Sequence, residues 1–284
     1  MPAKSLLMNN QNLREFPLEL LSASLKKINV RENHLKSLPD ELWELPNLRF
    51  LSVGENQFRE ISKHIAKLEG LTDLFLDGNP IRFLPDEIGQ LIHLYTLDLG
   101  HCRLETLPDG LQNLRNLAFL YVSDNQLRDY PDWIGELSNL EYFNMTDNQI
   151  QSLPPSIGHL VKLVELRLYN NQITALPDSI CNLSNLRELY LRNNSIRDLP
   201  SAIGSLSKLR ILDLRNNQLL TLSESIGKLE NLLYLDLRGN QLKTLPKTIV
   251  DLPKLEKLDL RWNHIDEKSP EMQYLAEGGC LVYI

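Results

Sequence analysis

From Leu25 to Ile265 the apolar positions of this chain recur with a fixed step of 23 residues. One period reads Leu163-x-x-Leu166-x-Leu168-x-x-Asn171-x-Ile173-x-x-Leu176-Pro177-x-x-Ile180-x-x-Leu183, and the next opens at Leu186. Two spacings alternate inside it. Around Leu166 and Leu168 apolar and polar residues alternate, the pattern of a short strand with one buried face. The half from Pro177 through Ile180 to Leu183 is spaced by three, which predicts a single helical or 3-10 turn with Pro at its first position. Between them sits Asn171, whose amide both donates and accepts. Inside a stack it is expected to bond loop backbone groups that no sheet reaches. One period cannot bury its Leu and Ile face alone, but stacked neighbours can.

Ten full periods begin at Leu25, Leu48, Leu71, Leu94, Leu117, Leu140, Leu163, Leu186, Leu209 and Leu232, and a partial one at Leu255. The Asn position recurs as Asn33, Asn56, Asn79, Cys102, Asn125, Asn148, Asn171, Asn194, Asn217, Asn240 and Asn263. No insertion breaks the register. The expected organisation is an N-terminal capping repeat over 1–24, ten repeats over 25–254, and a partial repeat with a helical cap over 255–284, all in one domain. In the first segment Leu6, Met8, Gln11, Leu13, Phe16 and Pro17 follow the frame, but one residue is missing before Leu25. At the other end Ser269-Pro270-Glu271 is a helix start, with Ser269 as N-cap, and Gly278-Gly279 a stop. Met272 and Leu275 fall on one face of that helix. The apolar end Cys280–Ile284 is expected to pack back onto this cap, a partner-facing strand being the alternative.

The repeated signature L-x-x-L-x-L-x-x-N/C-x-L resembles the leucine-rich repeat family over nearly the whole chain, and Cys102 is an allowed variant of it. The Leu-Pro-x-x-Ile-x-x-Leu half is similar to the 23-residue Leu-Pro class found in Ras-suppressor, erbin and scribble-like scaffolds and in many bacterial repeat proteins. The departures are Ile61-Ser62, Leu222-Ser223 and Tyr130, and none breaks the frame. The resemblance implies an α/β solenoid, a horseshoe with a parallel concave β-sheet of about twelve short strands and a convex side of short helical or 3-10 turns. Strands spaced by about 4.8 Å give an inner sheet of roughly 50 Å. It also implies protein–protein interaction rather than catalysis.

Charge and composition narrow the partners. The net charge of −7 weighs against nucleic acid or an anionic membrane as primary partner. No apolar run is long enough to span a bilayer, so no membrane insertion is expected. The first residues lack the apolar core and cleavage site of a secretory signal. The three cysteines, Cys102, Cys181 and Cys280, are odd in number and far apart, which suits a reducing compartment. The expected location is cytoplasmic, with non-classical secretion left open, and a monomer is favoured over an obligate oligomer. The six histidines share no frame position in neighbouring repeats, so no metal cluster, cofactor or catalytic constellation is expected. His101 can meet Asp124 of the next repeat, as an ordinary surface pair.

Binding is expected on the variable strand positions that flank the buried leucines. The middle repeats concentrate aromatic and Arg residues there, types enriched in interface hot spots. The candidate partner-binding residues are Phe75, Asp98, Phe119, Tyr121, Tyr142, Arg167, Tyr169, Tyr190 and Arg192. The competing reading is cross-strand pairing that only stabilises the sheet, at about 0.2–1 kcal/mol per pair. Asp213, Asp236 and Asp259 form one row and Arg192, Arg215, Arg238 and Arg261 the adjoining one, a ladder expected to compensate itself. Asp73, Asp77 and Asp98 have fewer basic neighbours, which suggests an acidic patch around Phe75. The expected function is a non-catalytic module binding a protein on its concave face. The alternative is the recognition domain of a bacterial effector, such as the substrate-recognition part of a ubiquitin-ligase-type effector.

Overall fold

A computed structural model describes residues 4–266 and 269–284. The chain divides into two compact units, Met1–Leu140 and Glu141–Ile284. In the first, six three-residue strands run parallel in chain order: β1 (Ser5–Leu7), β2 (Lys27–Asn29), β3 (Phe50–Ser52), β4 (Asp73–Phe75), β5 (Thr96–Asp98) and β6 (Phe119–Tyr121). The sequence period sets the register directly. Leu51 lies opposite Leu74 and Leu74 opposite Leu97, each one period apart. Ile28, Leu51, Leu74, Leu97 and Leu120 point inward and are fully or almost fully buried.

Each strand returns through a 3-10 turn such as Asp86–Gln90, whose Ile88 is buried. Here the proline position differs from expectation. Pro85 caps the turn instead of occupying its first position, because its carbonyl accepts the first bond, from Ile88 N at 3.1 Å. Pro39, Pro108 and Pro131 do the same. Where Ser62 replaces the proline, its hydroxyl accepts from His64 N at 3.2 Å, so the substitution keeps the turn by adding a cap bond.

The asparagines fasten the repeats to one another. Asn79 donates to the carbonyls of Val53, Leu76 and Asp77, and its Oδ1 accepts from Phe58 N at 3.0 Å. Asn56 repeats the pattern with Val30, Val53, Gly54 and Leu35. Cys102 breaks the series. Its thiol donates to Leu76 O at 3.6 Å, and Ile81 N bonds Asn79 O. A thiol has no oxygen to offer, and burial pushes the Cys102 thiol up to about 12, so it stays protonated.

The second unit carries seven parallel strands: β7 (Tyr142–Asn144), β8 (Glu165–Arg167), β9 (Glu188–Tyr190), β10 (Ile211–Asp213), β11 (Tyr234–Asp236), β12 (Lys257–Asp259) and β13 (Leu281–Tyr283). Ser223 again replaces a proline and accepts from Ser225 N. Adjacent 3-10 turns approach closely. A Cβ on Gly227 would lie 2.2 Å from Thr248 O, which explains a glycine there.

The helix α1 (Pro270–Glu277) forms as expected, with Met272 and Leu275 buried. Ser269 makes no side-chain cap bond to the helix backbone, because its hydroxyl donates to the Glu271 carboxylate. The tail packs back onto this helix, as expected, and also extends the sheet. Residues 281–283 add β13 to β12 in register with Leu258 opposite Val282, while Cys280 N holds to Leu275 O. The backbone groups at the edge of β12 are thereby paired, which packing against the helix alone would leave undone.

Candidate functional site

In the first unit the solvent side of the sheet is built around a gap. Gly54 stands between Arg31 and Asp77 in three successive repeats, and a Cβ there would meet Asp77 Oδ1 at 2.5 Å and Arg31 Nη1 at 2.6 Å. The guanidinium crosses this gap. Arg31 Nη1 lies 2.8 Å from Asp77 Oδ1 and 2.7 Å from Oδ2, and Nη2 lies 2.7 Å from Glu55 Oε1. Asp77 is 5% exposed. The expected acidic patch is therefore smaller than the sequence suggested, because its central carboxylate is neutralised by a cation from two repeats away. Asp73 accepts a hydrogen bond from the Thr72 hydroxyl at 2.7 Å.

Asp98 is the exception. Half-buried at the end of β5, it accepts from Gly100 N at 2.9 Å, and among the described residues no cation lies within ion-pair distance of it. Burial pushes its carboxyl up to about 6; the Gly100 bond and the more distant Arg31 and His101 oppose this, and the nearby Asp77 charge adds to it. Phase along the strands places Phe75, Asp98 and Tyr121 in one row, Phe75 opposite Asp98 and Asp98 opposite Tyr121. An aromatic ring on each side of a carboxylate makes a mouth suited to a basic side chain. Phe75 also stacks on Phe50 at 5.2 Å, and Lys27 Nζ sits 4.1 Å above the Phe50 ring. Phe119 meets the exposed Tyr95 edge-on at 5.4 Å.

The second unit groups the other candidates by themselves. The Arg167 guanidinium lies 5.7 Å from the Tyr142 ring and 5.3 Å from the Tyr190 ring, and its Nε donates to Glu165. Tyr190 donates to Glu188 at 2.7 Å, and burial together with that bond raises its pKa. Arg192 covers Tyr169 at 4.2 Å, with its own Nε buried and lacking an acceptor. These rings and cations are partly satisfied by one another, so part of the cluster stabilises the sheet, at about 0.5–1 kcal/mol per exposed cation–π contact.

The charge ladder is uneven. Arg261 binds Asp259 through Nε at 2.9 Å and Nη2 at 2.7 Å, and Arg238 approaches the same carboxylate at 3.4 Å. Burial works to raise the Asp259 carboxyl, but these cations outweigh it and the net direction is down. Asp213 accepts only the Arg215 backbone N–H at 3.1 Å, and burial raises it.

Several participants escaped the candidate set, Arg31, Glu188 and Tyr95 among them. Arg31 and Glu188 bind across or along strands, and Gly54 was the available signal for the first, since a missing side chain in a row of long ones marks a crossing. Tyr95 sits one residue before the strand positions and carried no signal. His101 and Asp124 meet as expected, Nδ1 to Oδ2 at 2.8 Å, and both are exposed. Among the described residues no three His, Cys, Asp or Glu side chains gather as metal ligands would, and no helix is long and apolar enough to cross a membrane.

The family model described as a leucine-rich repeat region matches residues 62–147 and 130–206, and a second leucine rich repeat model matches 23–81 and 207–265. The chain belongs to the leucine-rich repeat family. Comparison with curated protein sequences finds no match. Among solved structures this repeat protein is similar to a leucine-rich repeat protein of Leptospira interrogans, at 28% identity and TM-score 0.54, covering 99% of this chain and 95% of that one. An internalin of Listeria monocytogenes shares the fold at 24% identity and TM-score 0.72, with 99% and 86% covered. The ectodomain of the Arabidopsis thaliana receptor kinase GASSHO1/SCHENGEN3, solved in complex with Casparian strip integrity factor 2, matches at 28% identity and TM-score 0.60. There the match spans 93% of this chain and 39% of that one. Family and fold support a protein-interaction module.

Proposed function

We propose that this leucine-rich repeat protein is a non-catalytic module that binds a protein partner on the solvent face of its sheet. In the first unit the mouth formed by Phe75, Asp98 and Tyr121 receives a basic group of that partner. The observation that carries this reading is Asp98. A half-buried carboxylate without an ion pair lowers the stability of the fold that holds it, whereas the more deeply buried Asp77 of the same unit is paired with Arg31. A basic side chain supplied from outside completes the pair. The Arabidopsis ectodomain, solved in complex with Casparian strip integrity factor 2, supports use of the fold for binding.

The test is parallel affinity capture with three baits. These are the wild type, the Asp98→Ala/Tyr121→Ala variant, and an outer-turn control, Glu87→Ala/Asp132→Ala. Bound proteins are identified by mass and then titrated individually as purified components. A protein that binds the wild type and the control, but not the sheet variant, is the expected result. Retention of the same purified protein by the sheet variant with unchanged affinity overturns the reading.

A further inference from the structure

We infer that the loop side of the first unit holds a second binding site, a groove for an extended acidic peptide segment. The loops that leave β2, β3, β4 and β5 line one groove with Lys36, Arg59, Arg82 and Arg103. Three of them occupy the same place in successive repeats, directly after Leu35, Phe58 and Ile81, which are buried. The fold therefore aligns them without any contact among themselves. Glu60 is the only acidic side chain among the lining residues.

Several cations of this unit elsewhere are paired with carboxylates. Arg31 holds Asp77 and Glu55, Lys67 holds Glu44, and Arg115 holds Glu136. Among the described residues Lys36, Arg59, Arg82 and Arg103 have no side-chain hydrogen bond or ion pair, and all four are exposed. In a chain of net charge −7, four unpaired cations in one recess form a local reversal of charge. Like charges held together repel, so the arrangement gains only when an anion enters it.

Geometry and charge select the anion. Successive repeats are about 4.8 Å apart, so four of them span roughly 14 Å, the length of about four to five residues of extended peptide. Three guanidinium forks match carboxylates in a bidentate manner. No aromatic ring lines the groove, so nucleic-acid bases have nothing to stack on there. A long polyanion would also meet the surrounding negative surface, and a flat membrane fits a recess poorly. An acidic segment of a partner protein satisfies all four cations.

The experiment uses the full chain and a fluorescein-labelled peptide of roughly five consecutive glutamates between glycines, followed by anisotropy in low salt and in roughly 0.3 M salt. The wild type is expected to bind and to lose affinity with salt. The Arg59→Glu/Arg82→Glu variant is expected to bind at least about tenfold more weakly. A charge-matched control, Lys208→Glu/Lys254→Glu, alters a second basic recess whose lysines already bond Asn185 and Asn231. It should leave the affinity within about twofold. Unchanged binding by the arginine variant, or equal loss in the control, overturns the site. Tighter binding of oligouridylate or of phosphatidylserine vesicles than of the peptide overturns the occupant. Circular dichroism of each variant keeps unfolding apart from these outcomes, and the sheet-face variant Asp98→Ala/Tyr121→Ala should bind this peptide normally.

Discussion

Replacing Asp98 by Asn should make the protein more stable at neutral pH, an unusual outcome for a half-buried position. Burial lifts the folded carboxyl from 3.8 to about 6, so the folded chain holds that proton more tightly than the unfolded chain does. The contribution of Asp98 to stability is therefore most favourable below pH 4 and falls as pH rises through the window from about 4 to 6. About two pK units correspond to roughly 2–3 kcal/mol lost across that window. Asparagine keeps an oxygen to accept from Gly100 N and carries no charge to desolvate. The assay is urea unfolding of both proteins between pH 4 and 8, with midpoints compared at equal slope. The variant should lead by about 2–3 kcal/mol at pH 7, with the lead disappearing near pH 4. A difference that is flat with pH, or a less stable variant at pH 7, refutes the account of Asp98 as an uncompensated charge. The same variant should bind the sheet-face partner more weakly, so stability and binding move in opposite directions.

Other perturbations follow from the same contacts. Asn79→Ala strands Phe58 N and leaves three carbonyls a partner short, and should lower stability by about 3 kcal/mol in urea unfolding. Gly54→Ala puts a methyl between Arg31 and Asp77 and should lower stability by about 1–2 kcal/mol. That loss should shrink when Arg31 is already Ala, which a double-mutant cycle measures. All three thiols are buried and raised by burial, Cys102 to about 12, so at pH 8 the native chain should react slowly with a disulfide reagent. In urea all three should react at the rate of free cysteine.

The core was legible in the sequence because a fixed period forces in-register stacking. Leu74 above Leu97 and Asn56 beside Asn79 follow from counting alone. Features that depend on one atom were harder to read. Pro85 was displaced by one position because a 3-10 turn bonds to the carbonyl of its cap, a distinction that spacing does not contain. The strand Leu281–Tyr283 has three residues and lies outside the frame, too short for alternation to declare it. On the sheet face the rows were readable but the pairings were not. Arg167 meets Tyr190 along a predictable row but reaches Tyr142 diagonally, across rows. Arg31 reaches Asp77 across 46 positions only because Gly54 is empty between them. The sequence therefore located the face, while side-chain reach decided which charges on it remain available.

The interruption at Cys102 has a mechanical consequence. Asparagine bonds are the stitches that carry load from one repeat to the next, and they lie deep inside, where water cannot replace them as they stretch. Between the repeats of Asn79 and Cys102 weak thiol contacts replace the amide stitch, and Ile81 N also bonds Asn79 O of its own repeat. Under tension from an optical trap, the first unit should tear at this seam before any other. Residues 33–79 would then hold as one block, and the rupture force at the seam should rise when Cys102 is replaced by Asn. A single sulfur in place of an amide thus gives a uniform array a defined breaking point.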